Sequence, residues 1–480
     1  MKKTVLLAFV LALLSTPGFV GLVRPVSASL PVHNIDSGLD YATIQEAMDA
    51  NETLDGHTIL VDAGIYYGHV SVSKSIALIG ESKVATVIDG NGTRKVVTVT
   101  AQNVTIAGFT IQGSAPSDVS SSGIYIGHSN GNNISHNILT SNRNGIMLEY
   151  SNNSILIDNI ASNNTACGVI LRGSNNNNIV GNNASNQEYT GIYLDSSNNN
   201  TLAGNIASNN ENGIMFWYLS NNNTLTGNIV SNNTEPGIYL FSSNNNTLVG
   251  NNVSNNKYGI SLTFSCNNRI FHNNLINNLR QVSDRSWDNP DLPPSTNFWT
   301  DGYPSGGNYW SDYKGTDLYS GPYQNVTGSD GIGDTAYDID ENNQDNYPLM
   351  GMFSDFSVTL ELHVQTVSNS SISDFQFNGT AISFNVTGEN GTTGLCRICI
   401  PTALLNVTYK VFVNGTEVPY TVLPCSNSTQ SYLYFTYNHS TQEVIIIPEF
   451  PTWTLILLIV IVLACMLIFP RLLHDYIFNI

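Results

Sequence analysis

From residue 123 onward, short apolar pairs alternate with runs of asparagine, and the alternation repeats. Each unit opens on a G-I-x-L pattern at Gly123, Gly145, Gly168, Gly191, Gly213, Gly237 and Gly259, spaced by 22, 23, 23, 22, 24 and 22 residues. Ile124, Ile146, Val169, Ile192, Ile214, Ile238 and Ile260 form one apolar column. Ile126, Leu148, Leu171, Leu194, Phe216, Leu240 and Leu262 form a second, and residues two apart on a strand share a face, so both columns point inward. A third runs through Ile134, Leu156, Ile179, Leu202, Leu225, Leu248 and Ile270. So short a period, with no helical spacing inside it, predicts a solenoid with one coil of short strands per repeat. A leucine-rich repeat has similar length but needs a denser leucine pattern around a single asparagine, which is absent.

So much asparagine could instead mark a disordered tract. Its placement argues otherwise. Three residues after the third apolar column comes Asn137, Asn159, Asn182, Asn205, Asn228, Asn251 or Asn273 in every coil. Stacked parallel strands bring such residues to about 4.8 Å, where each amide can donate to one neighbour and accept from the next. The column is expected to be a ladder that satisfies turn backbone. Parallel crossovers favour the right hand.

Outside the repeats the pattern changes. DYATIQEAMDA places Ile44, Ala47 and Met48 on one helical face, as a short helix capping the open strand edges would. HTILVDAGIYYGHVSVSKSIALIGE alternates as strands without the Asn column and reads as the first, irregular coils. From about 356 to 447, runs such as NVTYKVFVNGTEVPYTVL alternate between Gly-rich turns, the pattern of an antiparallel β-sandwich that would lift the solenoid from the surface. The expected fold is all-β: a right-handed parallel β-helix, a small antiparallel β-sandwich and one C-terminal transmembrane helix. The divisions fall at 1–28 (signal peptide), 29–279 (β-helix), 280–353 (aromatic and Asp-rich cap), 354–447 (sandwich) and 448–480 (anchor and tail).

The two ends support export. Lys2 and Lys3 precede the apolar run Val5 to Leu14, and Val26-Ser27-Ala28 offers small residues for cleavage, so the mature chain is expected to start near Ser29. After Pro451 come about 18 mainly apolar residues, near the lower length for crossing a bilayer. A buried core helix is the alternative reading of that segment. The expected location is the cell surface, with the membrane held through the C-terminal helix.

Charged residues make up 11% of the chain, against roughly 25% in ordinary domains. A formal charge of −19 argues against a nucleic-acid partner. Among six cysteines, Cys465 falls in the apolar C-terminal segment, and Cys167 and Cys266 sit in distant repeats. Cys396, Cys399 and Cys425 share the sandwich, where one disulfide to Cys425 is expected outside the cell. The CxxC at 396–399 has no second CxxC or His pair to complete a zinc site. N-x-S/T sequons include Asn222, Asn245, Asn385, Asn406 and Asn414; glycosylation is expected in the sandwich, whereas in the repeats the Thr also starts a strand.

Candidate chemistry lies on residues flanking the inward leucines. Tyr125, Met147, Ile170, Tyr193, Met215, Tyr239 and Ser261 form one outward column, and Gly127, Glu149, Arg172, Asp195, Trp217, Phe241 and Thr263 another. An aromatic strip of Tyr125, Tyr193, Trp217, Tyr239 and Phe241 beside Glu149, Arg172 and Asp195 is what a saccharide groove needs, with extracellular glycans or a cell-envelope polymer as partner. Glu149 and Asp195, two coils apart, are expected roughly 9 to 10 Å apart at their backbones, close to the carboxylate separation of inverting glycosidases. Arg172 between them suits an ion-pair ladder better than a general acid. Binding or a structural role is expected ahead of hydrolase or lyase chemistry.

Several stretches resemble known families. DYATIQEAMDA, TILVDAGIY, VSVSKSIALIGE and TVIDGNG resemble the opening of pectin-lyase-like β-helix proteins, and the coils resemble the carbohydrate-binding and sugar-hydrolase repeat. PEF before the apolar segment and Arg471 resembles the PEF-type sorting signal of archaeal surface proteins. SGGNYWSDYKGTDLYSGPYQ and GSDGIGDTAYDIDENNQDNYPLM resemble the end of archaeal surface proteins in the family named for NosD, a periplasmic copper-binding protein. That resemblance, over roughly 35 to 353, implies a copper role associated with nitrous-oxide reductase. The residues supply little for copper: His128, His136 and His272 come without a Met or Cys cluster. Calcium fits the acidic loop better, since Asp330, Asp334, Asp338, Asp340 and Asp345 offer hard oxygens and Gly331 and Gly333 a tight turn. NVTGS stands where related sequences carry further aspartates, and a solvated acidic turn is the competing reading.

Overall fold

A computed structural model describes residues 30–285, 295–405 and 408–449. The expected signal peptide and the apolar segment after Glu449, with the rest of the expected PEF-type sorting signal, lie outside the described residues. Among the described residues no helix is long and apolar enough to cross a membrane.

Residues from Val32 to Trp310 coil into a parallel β-solenoid with three sheet faces. One face has twelve strands and begins with the antiparallel trio Leu39–Tyr41, Val32–Asn34 and Thr58–Val61. The second, here called the platform sheet, has ten parallel strands from Val70–Val72 to Arg280–Asp284. The third is two five-stranded runs, joined where Asn183 bridges Ile160 and Ile206. Register is kept coil to coil: Ile146 pairs with Val169, Val169 with Ile192, and Ile192 with Ile214. All three apolar columns are buried.

The ladder is present and is one of several. Asn205 Nδ2 donates to Asn228 Oδ1 at 3.0 Å and to Ile179 O at 2.8 Å, while its Oδ1 accepts from Asn182 N at 2.9 Å. A second ladder runs Asn177, Asn200, Asn223, Asn246, Asn268 and Asn297, and a third Asn164, Gln187, Asn210, Asn233, Asn256 and Asn278. Each amide sits at a buried corner and satisfies backbone that sheet pairing leaves free.

Both ends are closed. The helix Ile44–Asp49 buries Ile44, Ala47 and Met48 as its spacing predicts, and Thr43 caps it by accepting from Glu46 N at 3.1 Å. At the other end Trp299 and Trp310 seal the core, each 1% exposed. Their indoles reach the ladder terminators: Trp299 Nε1 donates to Asn343 Oδ1 at 3.1 Å and Trp310 Nε1 to Asp345 Oδ2 at 2.9 Å. The N-Y-W and E-N-N-Q-D stretches of the terminal motif therefore build the stopper of the solenoid.

Residues from Met352 to Pro448 form two antiparallel five-stranded sheets around Val364, Phe384, Ile398, Val411, Phe435 and Val444. The sandwich is fastened to the solenoid. Phe353 N donates to Asn274 Oδ1 at 2.8 Å, Asn274 Nδ2 returns a bond to Phe353 O at 2.9 Å, and His272 stacks on Phe353. Arg397 donates to Pro304 O and packs its stem against Gly331.

The expected disulfide is not formed: none joins the five described cysteines. A spacing of three on one strand points Cys396 and Cys399 to opposite faces. Cys396 enters the sandwich core, and Cys399 donates to Gln430 Oε1 at 2.6 Å.

Candidate ligand-binding face

Glu149, Arg172 and Asp195 end successive strands of the platform sheet, Asn144–Glu149, Cys167–Arg172 and Thr190–Asp195, and the register pairs each with the next. Arg172 Nη1 lies 3.6 Å from Glu149 Oε1, and its Nε 3.6 Å from Asp195 Oδ2. The ion-pair ladder read from sequence is therefore present. The Tyr125 hydroxyl donates to the second oxygen of Glu149, and Lys95 Nζ sits 2.9 Å above the Tyr125 ring. Burial and the Glu149 carboxylate push the Tyr125 phenol up to about 12, so it keeps its proton and acts as a donor. Burial lowers Lys95.

Beyond Asp195 the same column turns aromatic. Trp217 and Phe241 stack with centroids 4.3 Å apart and planes 17° apart. Tyr218 meets Phe241 edge-on at 5.0 Å, Phe264 does so at 6.0 Å, and Tyr239 lies 6.2 Å from Trp217. The Tyr218 ring is half exposed, and Leu219 beside it is open to solvent. One face thus carries a charged half and an aromatic half, in sequence along the solenoid axis.

One expectation needs correction. The outward column is not an open strip over its first half: Met147 is 0% exposed and Ile170 5%. Coils about 4.8 Å apart bring outward side chains into contact, so a column of large apolar residues covers itself. Tyr125, Met147, Cys167 and Ile170 form a cluster of their own with Ala166 and Tyr193. Gly127 makes this possible, because a Cβ there would stand 2.6 Å from the Tyr125 ring. Of the five expected ligand-binding aromatics, Trp217, Tyr239 and Phe241 stay together and partly exposed, Tyr193 is half-buried, and Tyr125 lies under Lys95.

Sequence reasoning missed Lys95, Tyr218 and Phe264. For Tyr218 and Phe264 the signal was one position further along; Lys95 starts a strand of the irregular first coils, ahead of the repeats. His128, Tyr150, Gly173, Ser196, Tyr218, Ser242 and Phe264 come directly after the charged-aromatic column and all adopt the left-handed conformation, φ from 34° to 55°. Such a turn throws the side chain outward at the edge of the face.

The five loop aspartates do not gather. Asp330 is buried and accepts from Ile332 N and Gly321 N; Asp334 accepts from Leu318 N and Tyr319 N; Asp340 holds Asn343 Nδ2 and Asn342 N. Asp345 is buried among Asn308 N, Trp310 Nε1 and Tyr347 N, and Asp338 is exposed. Asp317, outside the five candidates, accepts from Asp330 N and Gly331 N, and burial raises it to about 7. The histidines are equally separate: His128 stacks on Tyr150, His136 lies 3.5 Å from Asp158, and His272 is buried with Nε2 against Ser305 O. Among the described residues no three His, Cys, Asp or Glu side chains converge to hold a metal ion. Copper, which the resemblance to the NosD family implies, does not fit this donor set.

The fold and this face define a parallel β-helix module with an aromatic and ionic platform. The model of the family described as periplasmic copper-binding protein (NosD) matches residues 50–233 and 183–315, more than half the chain, and the chain belongs to that family. It is 31% identical over 140 residues to a cell surface glycoprotein of Methanothermus fervidus, a match covering 29% of this chain and 21% of the relative. The chain thus spans about a fifth of that relative's length. Among solved structures it is similar to the A-module of the Azotobacter vinelandii mannuronan C-5 epimerase AlgE6, with 19% identity, a TM-score of 0.48, and 55% of this chain and 81% of that one covered. It is also similar to the catalytic domain of a GH87 α-1,3-glucanase, with 14% identity, a TM-score of 0.38, and coverage of 49% and 55%.

Proposed function

We propose that this protein is an exported surface module that binds carbohydrate along the platform sheet. The Trp217–Phe241 stack carries the reading. Aromatic rings with an exposed face bury the apolar face of a sugar ring without a desolvated charge, and the neighbouring Glu149, Arg172 and Asp195 give directional partners for hydroxyls. The likeness to a cell surface glycoprotein and a periplasmic family supports the exported location. A glycan array probed with the purified protein tests the proposal: neutral or acidic polysaccharides retained by the parent and lost by Trp217→Ala support it, and an array with no bound glycan counts against it.

Hydrolysis is the less favoured reading of the same face. The guanidinium of Arg172 occupies the space between Glu149 and Asp195 that a glycosidic oxygen and its water would need. Release of reducing ends, abolished by Glu149→Gln and by Asp195→Asn, would reverse this preference.

A further inference from the structure

The corner that leads from the platform sheet to the twelve-stranded face repeats a four-residue pattern, S-N-N-N, whose members have different duties. In the coil ending at Thr201, Asn198 donates its backbone N–H to Asn175 Oδ1, and Asn200 belongs to a buried ladder. Asn199 between them is exposed, with φ 57°. Asn222 and Asn245 repeat it one and two coils on, with φ 56° and 57°. Among the described residues these three amides make no side-chain hydrogen bond, although the side chain of every flanking asparagine makes at least one.

The left-handed turn alone accounts for Asn at this position, as at Asn153, Asn176 and Asn267 of the same column. The residue two positions on starts the next strand in every one of these coils, and its identity divides them. There the coils of Asn153, Asn176 and Asn267 carry Ile155, Asn178 and Arg269, whereas those of Asn199, Asn222 and Asn245 carry Thr201, Thr224 and Thr247. These threonines are partly exposed at the first position of their strands. An exposed turn asparagine with a hydroxyl two residues later is the acceptor for N-linked sugar.

We infer that Asn199, Asn222 and Asn245 form a row of N-glycosylation sites along this corner. The donor is a glycan linked to a polyprenyl phosphate or diphosphate. The amide nitrogen bonds to the anomeric carbon of the first sugar, the bond from that carbon to the phosphate oxygen breaks, and the amide proton leaves with the phosphate. Each site lies a few residues past the platform column, Asn199 after Asp195, Asn222 after Trp217 and Asn245 after Phe241. The attached chains therefore line the edge of the face beside Asp195, Trp217 and Phe241, and leave the edge beside Glu149 and Arg172 bare. The inference stands independently of whether that face binds an external saccharide.

Glycopeptide mass spectrometry of the protein from its own cells tests this. Sugar is expected on the peptides carrying Asn199, Asn222 and Asn245. Thr224→Val keeps a β-branched strand residue and is expected to abolish modification of Asn222, Thr224→Ser to retain it. Asn222→Gly, which tolerates the same left-handed turn, removes the acceptor in case the valine variant does not fold. Unmodified peptides from the parent, or sugar persisting on Asn222 in Thr224→Val, overturn the inference.

Discussion

Asn308 gives its backbone N–H to Asp345 Oδ2 at 2.7 Å, so the main asparagine ladder ends on a side chain that accepts and does not donate. An internal rung needs both an acceptor and a donor; the last needs only the acceptor. Trp310 Nε1 shares that oxygen and Tyr347 N takes the other. Asp345→Ala leaves two buried donors, Asn308 N and Trp310 Nε1, and the part-buried Tyr347 N without a partner, at about 1–3 kcal/mol for each buried group not rescued by water. A fall in thermal midpoint of many degrees is expected, and a melt within a degree of the parent would show that the terminator is dispensable.

The same carboxylate makes stability depend on pH in an unusual direction. Burial raises Asp345 to about 6 and Asp317 to about 7, against 3.8 as the ordinary value. Both folded-state values lie above the unfolded one, so between about 4 and 7 the folded chain holds protons that the unfolded chain has released. Their contribution is fully present below about pH 4 and is lost as pH rises through 6 and 7. The thermal midpoint is expected to be higher at pH 5 than at pH 8. Asp345→Asn together with Asp317→Asn should flatten that slope, which differential scanning calorimetry at the two pH values measures directly.

Rungs inside the ladder should be far less tolerant than the turn residues beside them. Asn205→Ala removes a bond to Ile179 O and one to Asn228 Oδ1, and leaves Asn182 N without its acceptor at a fully buried corner. A loss of about 2–4 kcal/mol is expected by denaturant titration. Asn199→Gly, six residues earlier at φ 57°, is expected to change stability by about 0.5 kcal/mol or less.

Gly145 marks a corner where two coils touch. A Cβ there would stand 2.5 Å from Gly168 O of the next coil and 2.9 Å from the buried Ala161 Cβ of its own. Gly145→Ala is expected to cost about 1–3 kcal/mol through overpacking. Gly204 lies at φ 62° with nothing within 4 Å of an added Cβ, so its alanine variant separates backbone strain from collision. The denaturant midpoints of the two variants give the comparison, with Gly145→Ala the lower.

On the platform face, binding and stability should separate. Trp217→Ala removes a partly exposed ring and is expected to lower saccharide affinity about tenfold, or about 1.4 kcal/mol, with little effect on the melt. Met147→Ala, under the charged half, is expected to do the reverse, since its side chain is wholly buried. Equal losses of affinity and stability in both variants would mean that the aromatic cluster is a packing device.

The fold was legible because translation repeats it. Ile192, Leu194, Leu202 and Asn205 recur at one spacing, and stacking turns each recurrence into a column whose environment is the same in every coil. What breaks the period could not be read this way. Asn343 and Asp345 lie more than thirty residues from the rungs they terminate, in a loop whose aspartates look alike in sequence. The same density of carboxylates suggested calcium; in the structure Asp330, Asp334, Asp340 and Asp345 each accept from backbone N–H groups. The platform was half legible: alternation identified its columns, but not that Met147 and Ile170 would cover one another, because coverage depends on neighbours in adjacent coils.

The stopper built from Trp299, Trp310, Asn343 and Asp345 presents the same acceptors and rings to whatever coil precedes it. Coil number is therefore a free variable: a duplicated stretch of about 23 residues can enter the middle of the array, carrying its own rungs, without any change at either end. Each insertion would lengthen the molecule by about 4.8 Å. Evolution can thus adjust the length of the solenoid in fixed increments, as one sets a ruler, while closure and stability at the tips stay as they were.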